Sequence, residues 1–171
     1  MRSGHDRPES AVTMTGIRNA AAIAEIYKHY VLTSTISFEE EPATEADIRE
    51  RIDAVYKAGL PWLVAVVDGE LAAYAYATPW RARSAYRFSV ESSVYVAHDK
   101  PRRGLGRALY GALLEQLRQT DIHTVIGGIA MPNEPSVALH EAMNFKKVAH
   151  FNEVGRKFGR WVDVGYWQLE L

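Results

Sequence analysis

The sequence contains no cysteine. That absence excludes disulfide scaffolds, zinc ribbons, Cys-X-X-Cys redox centres and any mechanism that carries an acyl group on a cysteine. Charge of one sign is lacking too. Against 20 Lys and Arg stand 21 Asp and Glu, a formal net charge of -1, which excludes a strongly basic nucleic-acid binder and an acidic tail but leaves room for a local basic patch. Long apolar runs are also missing: the longest, Trp62–Val67 and Leu71–Ala77, are strand-sized, far short of the roughly 18 apolar residues of a membrane span. Residues 1–10 carry Arg2, Asp6, Arg7 and Glu9 with no apolar block behind them. They read as a flexible polar extension and not as a secretory signal.

What is present is 171 residues, 47% of them hydrophobic, the length of one domain able to bury about 70% of its unfolded surface. The expectation is a single domain over residues 11–171 in a cytoplasmic protein, with neither membrane nor nucleic acid as partner. A strand near Ala11–Thr15 precedes a helix in which Ile23, Ile26, Tyr27, Tyr30 and Val31 share one face. Thr44 caps a second helix through Ile48, Ile52 and Val55 to Gly59. Trp62–Val67 and Glu70–Thr78 flank Asp68-Gly69, a hairpin signal. Ser89–Ala97 is a third strand of that group, and Leu105, Leu109, Leu113 and Leu117 mark a helix that follows Gly104. Thr124–Ala130 is a strand, Asn133 or Ser136 caps a helix to Met143, and Asn144 suits a left-handed stop. Lys146–Val154 and Trp161–Leu169 close the chain as strands separated by Gly155 and Gly159. The order predicts an α+β, mixed α/β domain with a sheet covered by helices.

Arg102-Arg103-Gly104-Leu105-Gly106-Arg107 lies between a strand and an amphipathic helix. Glycines admit a ligand close to the backbone, and the first N–H groups and the dipole of a helix favour an anion. Three arginines add charge in the same turn, so the segment can cradle a phosphate or pyrophosphate. No Gly-Lys-Ser/Thr follows, and a third glycine is missing, so neither a P-loop nor a full dinucleotide fingerprint is present. The histidines are scattered, and four positions after His140 stands Asn144, so no metal site is expected. Glu91 is the only acid in its strand, among Val90, Ser92 and Ser93. A carboxylate in such surroundings has a raised pKa and accepts a proton near neutral pH.

Taken together, Ser93-Val94-Tyr95-Val96, the Arg102–Arg107 loop opening a helix, Asn133-Glu134-Pro135-Ser136 and Leu139-His140-Glu141-Ala142-Met143-Asn144-Phe145 resemble the Gcn5-related N-acetyltransferases. Ser34–Phe38, Pro61–Val64, Val90–Val96 and Gly159–Gln168 resemble one branch in particular, the phosphinothricin acetyltransferases and their relatives that acetylate methionine sulfone and sulfoximine. The likeness runs from about Val12 to Leu171. It implies a largely antiparallel mixed sheet split into a V around acetyl-CoA, with direct transfer to the α-amino group of a small amino-acid-like acceptor, and a homodimer. A different amine or peptide as acceptor, or a non-catalytic acyl-CoA-binding sensor, are the competing readings.

By the same resemblance, Val94, Tyr95 and Val96 contact the pantetheine arm, Arg102, Arg103, Gly104, Leu105, Gly106 and Arg107 hold the pyrophosphate, and Asn133 touches the cofactor beyond the next strand. Pro101 departs from the family pattern and removes one N–H. Glu91 aligns with the family's base and His140 with a functional histidine. Backbone N–H groups near Val94 would stabilise an oxyanion if the strand bulges there. Phe145 replaces the usual tyrosine acid, a modest loss because a thiolate with a pKa of about 8.5 leaves readily. Gly127-Gly128 leaves room near the arm. The acceptor is assigned to Phe38, Arg87, Phe88 and Ser89, with Tyr74, Trp80 and Tyr166 nearby. An arginine there suits a carboxylate or an oxidised sulfur, whereas Arg81 and Arg83 read as a solvated turn.

Overall fold

The computed structural model describes residues 10–13, 19–100 and 104–171, the first stretch by its backbone. In chain order its elements are β1 (Ser10–Thr13), α1 (Ala20–Thr33), α2 (Glu45–Lys57), β2 (Trp62–Val67), β3 (Glu70–Pro79), a short 3-10 helix (Ser84–Tyr86), β4 (Ser89–Val96), α3 (Leu105–Leu117), β5 (Thr124–Ala130), α4 (Glu134–Ala142), β6 (Lys146–Lys157) and β7 (Arg160–Glu170). Ser10, placed in the extension by its composition, instead begins β1, because its backbone pairs with Val67.

Local chemistry explains the elements. Thr44 and Asp47 cap α2 reciprocally: the Thr44 hydroxyl accepts from the Asp47 N–H at 3.2 Å and the Asp47 carboxylate accepts from the Thr44 N–H at 2.7 Å, a capping box. Leu109, Leu113, Leu114 and Leu117 form the buried stripe of α3, each contributing roughly 1.5–3 kcal/mol on burial. Asp68 and Gly69 both take positive φ and turn β2 into β3. Gly155 does not separate the last two strands. It lies inside β6, where a register shift between Phe151 and Gly155 lets the longer strand bulge, and the Asp163 carboxylate accepts the N–H of Glu153 in that bulge at 2.8 Å. The turn into β7 falls later, at Phe158 and Gly159, which again share positive φ.

Among the described residues the strands form one sheet in the order β1-β2-β3-β4-β5-β7-β6. Every neighbouring pair is antiparallel except β4 with β5. That parallel pair holds only from Ser89↔Thr124 to Glu91↔Ile126. Beyond it β4 stays with β3 as far as Val96↔Ala73, and β5 stays with β7 as far as Ala130↔Val164. The two halves of the sheet therefore part at Glu91 and leave a slot between β4 and β5. This is the expected V. Side chains alternate between faces along a strand. Ser92 meets Tyr110 of α3, whereas Tyr95 packs on Tyr27 and Tyr30 of α1, so α3 and α1 cover opposite faces.

Candidate active site

Glu91 sits at the apex of the slot, on the α1 face. Its Oε1 lies 3.1 Å from the point that a Cβ on Gly128 would occupy, and the Tyr166 ring is equally close to that point. Gly128 thus leaves the floor on which the carboxylate and the phenol converge. Trp80 meets Tyr166 edge-on at 5.6 Å, Phe151 meets it at 5.5 Å, and the Arg81 guanidinium lies 4.8 Å over the Trp80 ring. Burial pushes the Glu91 carboxyl above its ordinary value, and the positive charge of Arg81 opposes the shift. Tyr166 is raised as well, by burial and by the charge of Glu91. The arrangement holds a carboxylate that binds a proton more readily than usual, beside a small aromatic recess and a cation.

His140 lies on the other face. Its ring is 5% exposed, edge-on to Tyr110 and Phe145 at 5.2 and 5.1 Å, and Nε2 stands 2.4 Å from the position a Gly127 Cβ would take. Nδ1 donates to the Ser136 carbonyl at 2.8 Å. A carbonyl only accepts, so the proton is on Nδ1 and Nε2 presents a lone pair toward the slot. Burial lowers the pKa and keeps the ring neutral. Gly127 and Gly128 are therefore a matched pair. One admits His140 from the α4 side, and the next admits Glu91 and Tyr166 from the α1 side.

The backbone of β4 divides the residues assigned to the pantetheine arm. Trp80 donates to the Ser89 carbonyl at 3.1 Å and Ala97 to that of Ala72 at 2.8 Å. Since an antiparallel ladder turns alternate residues toward its partner, odd-numbered residues of β4 bond to β3 and even-numbered ones face the slot. Val94 and Val96 accordingly present backbone groups to the opening. Tyr95 does not: its backbone pairs with Tyr74 and its ring is part of the aromatic core. Nor does the strand bulge, because its register with β3 runs without a shift from Ala73↔Val96 to Pro79↔Val90. Departure of β5, not a bulge, frees the Val94 N–H. At the end of the strand the Tyr30 hydroxyl donates to the Val96 carbonyl at 2.6 Å.

Gly104 begins α3 at φ 77, and the first helical bond runs from Ala108 to Gly104, so the N–H groups of Leu105, Gly106 and Arg107 have no acceptor within the helix. A Cβ on Gly106 would stand 3.4 Å from a Val96 methyl. The helix start is pressed against the end of β4, at the mouth of the slot. An open groove of about 560 Å³ continues from Gly104 between α3 and the end of α4, with Arg107 and Arg118 on its wall. Pro101, Arg102 and Arg103 lie outside the described residues. Asn133 caps α4, its Oδ1 accepting from the Ser136 N–H at 3.2 Å, which leaves the amide nitrogen to donate elsewhere.

The acceptor residues divide. Ser89 shares the face of Glu91, and Phe38 lies across Gly155 on that same face. Phe88 supplies its carbonyl to the N–H groups of His123 and Thr124. Arg87 turns back, donating to the Ser84 carbonyl at 3.2 Å and lying 4.2 Å over the Phe88 ring. The arginine whose charge reaches Glu91 is Arg81, taken from sequence as part of a solvated turn. Tyr74 is 2% exposed and stacks between Trp62 and Tyr95, so it belongs to the core. Sequence reasoning also passed over the Tyr110 hydroxyl, 2.7 Å from Ser92 Oγ beside the apex, because Tyr110 reads as one more buried position of α3. Among the described residues no group of three or more His, Asp or Glu could hold a metal ion.

A parallel pair that separates beside a helix N-terminus leaves an open slot with a half-buried carboxylate at its fork. Residues 16–165 match the acetyltransferase (GNAT) domain family, and the chain belongs to that family, the acetyl-CoA-dependent N-acetyltransferases. It is 44% identical over 168 residues to phosphinothricin N-acetyltransferase of Streptomyces viridochromogenes, covering 96% of this chain and 86% of that protein. It is 35% identical to the L-methionine sulfoximine/L-methionine sulfone acetyltransferase of Salmonella typhimurium, covering 90% of each. The phosphinothricin acetyltransferase of Sinorhizobium meliloti, solved in complex with acetyl-CoA, superposes with a TM-score of 0.91 at 32% identity, over 95% of this chain and 88% of that one.

Proposed function

We propose that the chain acetylates the α-amino group of a small amino-acid analogue of the phosphinothricin, methionine sulfoximine or methionine sulfone type, a resistance activity against such compounds. The observation that carries this reading is the placement of Glu91. Its carboxylate stands where β4 and β5 part, facing a recess bounded by Trp80, Arg81 and Tyr166. Relatives named for these acceptors, at 44% and 35% identity, support the same class.

The residues of the slot fit acetyl-CoA. Val94 and Val96 offer backbone hydrogen bonds along the pantetheine arm, the free N–H groups of Leu105, Gly106 and Arg107 suit the pyrophosphate, and the groove with Arg107 and Arg118 suits the nucleotide end. Acetyl-CoA supplies an acetyl group activated as a thioester. An ammonium has no lone pair to give, so Glu91 takes one of its protons and the neutral amine attacks the carbonyl carbon; as the C–S bond breaks, coenzyme A leaves as a thiolate and takes up the second proton that the nitrogen sheds on becoming an amide. The Val94 N–H is aimed into the slot to receive negative charge on the carbonyl oxygen. His140, neutral with its Nε2 lone pair toward Gly127, is placed to hold a proton or a water on the far side of the slot. Arg81 is the cation for the acceptor's carboxylate or its oxidised sulfur or phosphorus.

The functional unit in this reading is a homodimer in the cytoplasm. Val148, Phe151, Val154, Phe158 and Trp161 are each more than half exposed, 51–59%, on β6, β7 and the turn between them, an unusual amount of apolar surface for one hairpin. β6 is also an edge strand. A solution mass near twice 19.2 kDa is expected. Among the described residues no helix is long and apolar enough to cross a membrane.

Thiol release from acetyl-CoA, measured over a panel of amino-acid analogues, polyamines and peptides, tests the acceptor. The three named analogues are expected to give the highest kcat/KM. Faster release with a polyamine or peptide would replace the acceptor class, and release with none, despite acetyl-CoA binding, would leave a sensor.

A further inference from the structure

Lysine is seldom fully buried, yet Lys157, one residue before the β6–β7 turn, is 1% exposed. Among the described residues no carboxylate lies within ion-pair distance of it. Its ammonium donates instead to a neutral group, the Ser37 carbonyl, at 2.7 Å. Desolvation lowers its pKa, and the charges of Glu39 and Glu40 act against that from further away. Ser37 is gripped a second time, since its hydroxyl is 2.7 Å from the Tyr27 hydroxyl of α1. Glu39 is gripped by Arg51 of α2 at 2.8 Å. Between these two anchored residues stands Phe38.

The Phe38 ring fills a space that only a glycine leaves. A Cβ on Gly155 would lie 2.1 Å from Cε2 of the ring and 2.5 Å from Cζ. Two residues of β6, Gly155 and Lys157, thus act on two consecutive residues of the connection from α1 to α2, Phe38 and Ser37. The ring has a fixed seat, and the backbone behind it has a fixed tether. Phe38 shares the face of Tyr166 and Glu91, the face on which the acceptor is proposed to bind.

We propose that Lys157 is a positioning residue for the acceptor: by holding the Ser37 carbonyl it keeps Phe38 seated on Gly155 and so fixes the size of the amino-acid recess. The inference rests on the acceptor site proposed above. A buried ammonium, unlike an apolar side chain of the same length, carries a directional bond, and that bond is what ties the loop to the hairpin.

Lys157→Met keeps the length and volume and deletes the bond. The acceptor's KM is expected to rise about tenfold, while that of acetyl-CoA stays within about twofold, because the bond that is deleted ties the loop to β6 and not to β4 or α3. Combined with Phe38→Ala, the same substitution should add less than about a twofold further rise, since the group it positions is gone. Amide exchange over residues 35–43 should quicken in Lys157→Met, with β4 and α3 unchanged. An unaltered acceptor KM, an equal rise for both substrates, or a full effect persisting in the Phe38→Ala background would overturn the proposal. Should no amino-acid analogue be a substrate, the acceptor reading fails alone; the exchange measurement still reads the tether, and unchanged exchange would sink it. If Lys157→Met does not fold, Gly155→Ala displaces the ring from the other side. The same KM split is expected there, and its absence would count against the proposal.

Discussion

In the proposed reading, the wall of the slot along β4 that is offered to acetyl-CoA is backbone, and the wall offered to the acceptor is side chain. The first comes from one continuous stretch, Val94 and Val96 followed by the N–H groups that open α3. The second is assembled from Glu91 on β4, Gly128 on β5, Tyr166 on β7, Trp80 and Arg81 after β3, and Phe38 before α2. A backbone site depends on strand geometry and tolerates many side chains. A side-chain site depends on how far apart several elements are held. Common cofactor binding with variable acceptors is what such a division permits.

The paired glycines give the sharpest way to break the comparison. Gly127→Ala places a Cβ 2.4 Å from His140 Nε2, a ring boxed by Tyr110 and Phe145 and tied to Ser136. Overpacking of this kind costs about 1–3 kcal/mol. A fall of more than about tenfold in kcat should accompany it, since His140 is driven from the slot. Gly128→Ala meets Glu91 and Tyr166 at 3.1 Å, close but against the tips of side chains that can give, and it should cost only about threefold. Steady-state kinetics and thermal denaturation of the two variants decide the matter. Equal effects would mean that the two faces are not differently packed.

Arg81→Ala separates acceptor from cofactor. The acceptor's KM should rise about tenfold, with that of acetyl-CoA unchanged, and Arg87→Ala should do less because that guanidinium is engaged with Ser84 and Phe88. Arg81 also holds the Glu91 pKa down. Its removal therefore raises that pKa further, and the acid limb of kcat/KM should move to higher pH in Arg81→Ala. A limb that stays in place would show that the charge does not reach Glu91. The smallest effect is expected on the backbone side: Tyr30→Phe deletes one hydrogen bond to the Val96 carbonyl and should cost about 1 kcal/mol of stability, read by denaturant titration, with kcat intact.

The same division explains what could be read in the sequence. The α3 stripe, the Asp68-Gly69 turn, the Gly104 start and the order of elements are each signalled by neighbouring residues, and the resemblance of separated blocks to one family supplied the V. Glu91 was legible as the one acid in its strand. What stayed hidden depends on register across the sheet. Tyr95 looked equivalent to Val94 and Val96, but parity along β4 turns its backbone to β3. Gly127 and Gly128 looked like one feature and serve opposite faces. Arg87 was preferred to Arg81, but the path of the chain through the short 3-10 helix turns Arg87 back onto Ser84 and Phe88, and it is the charge of Arg81 that acts on Glu91. Lys157 gave no signal at all, since its partner Ser37 is 120 residues away in the chain.

The most direct test of the account is the pH dependence of kcat/KM for the wild type and Glu91→Gln. Glu91 must be ionised to accept a proton, and burial lifts its pKa. Wild-type activity should accordingly fall as pH drops through a value above the ordinary carboxylate range. In Glu91→Gln activity should be lower by about a hundredfold or more, with that limb gone and the acetyl-CoA KM unchanged. A variant that keeps wild-type kcat/KM and the same acid limb would contradict the assignment of Glu91 as the base.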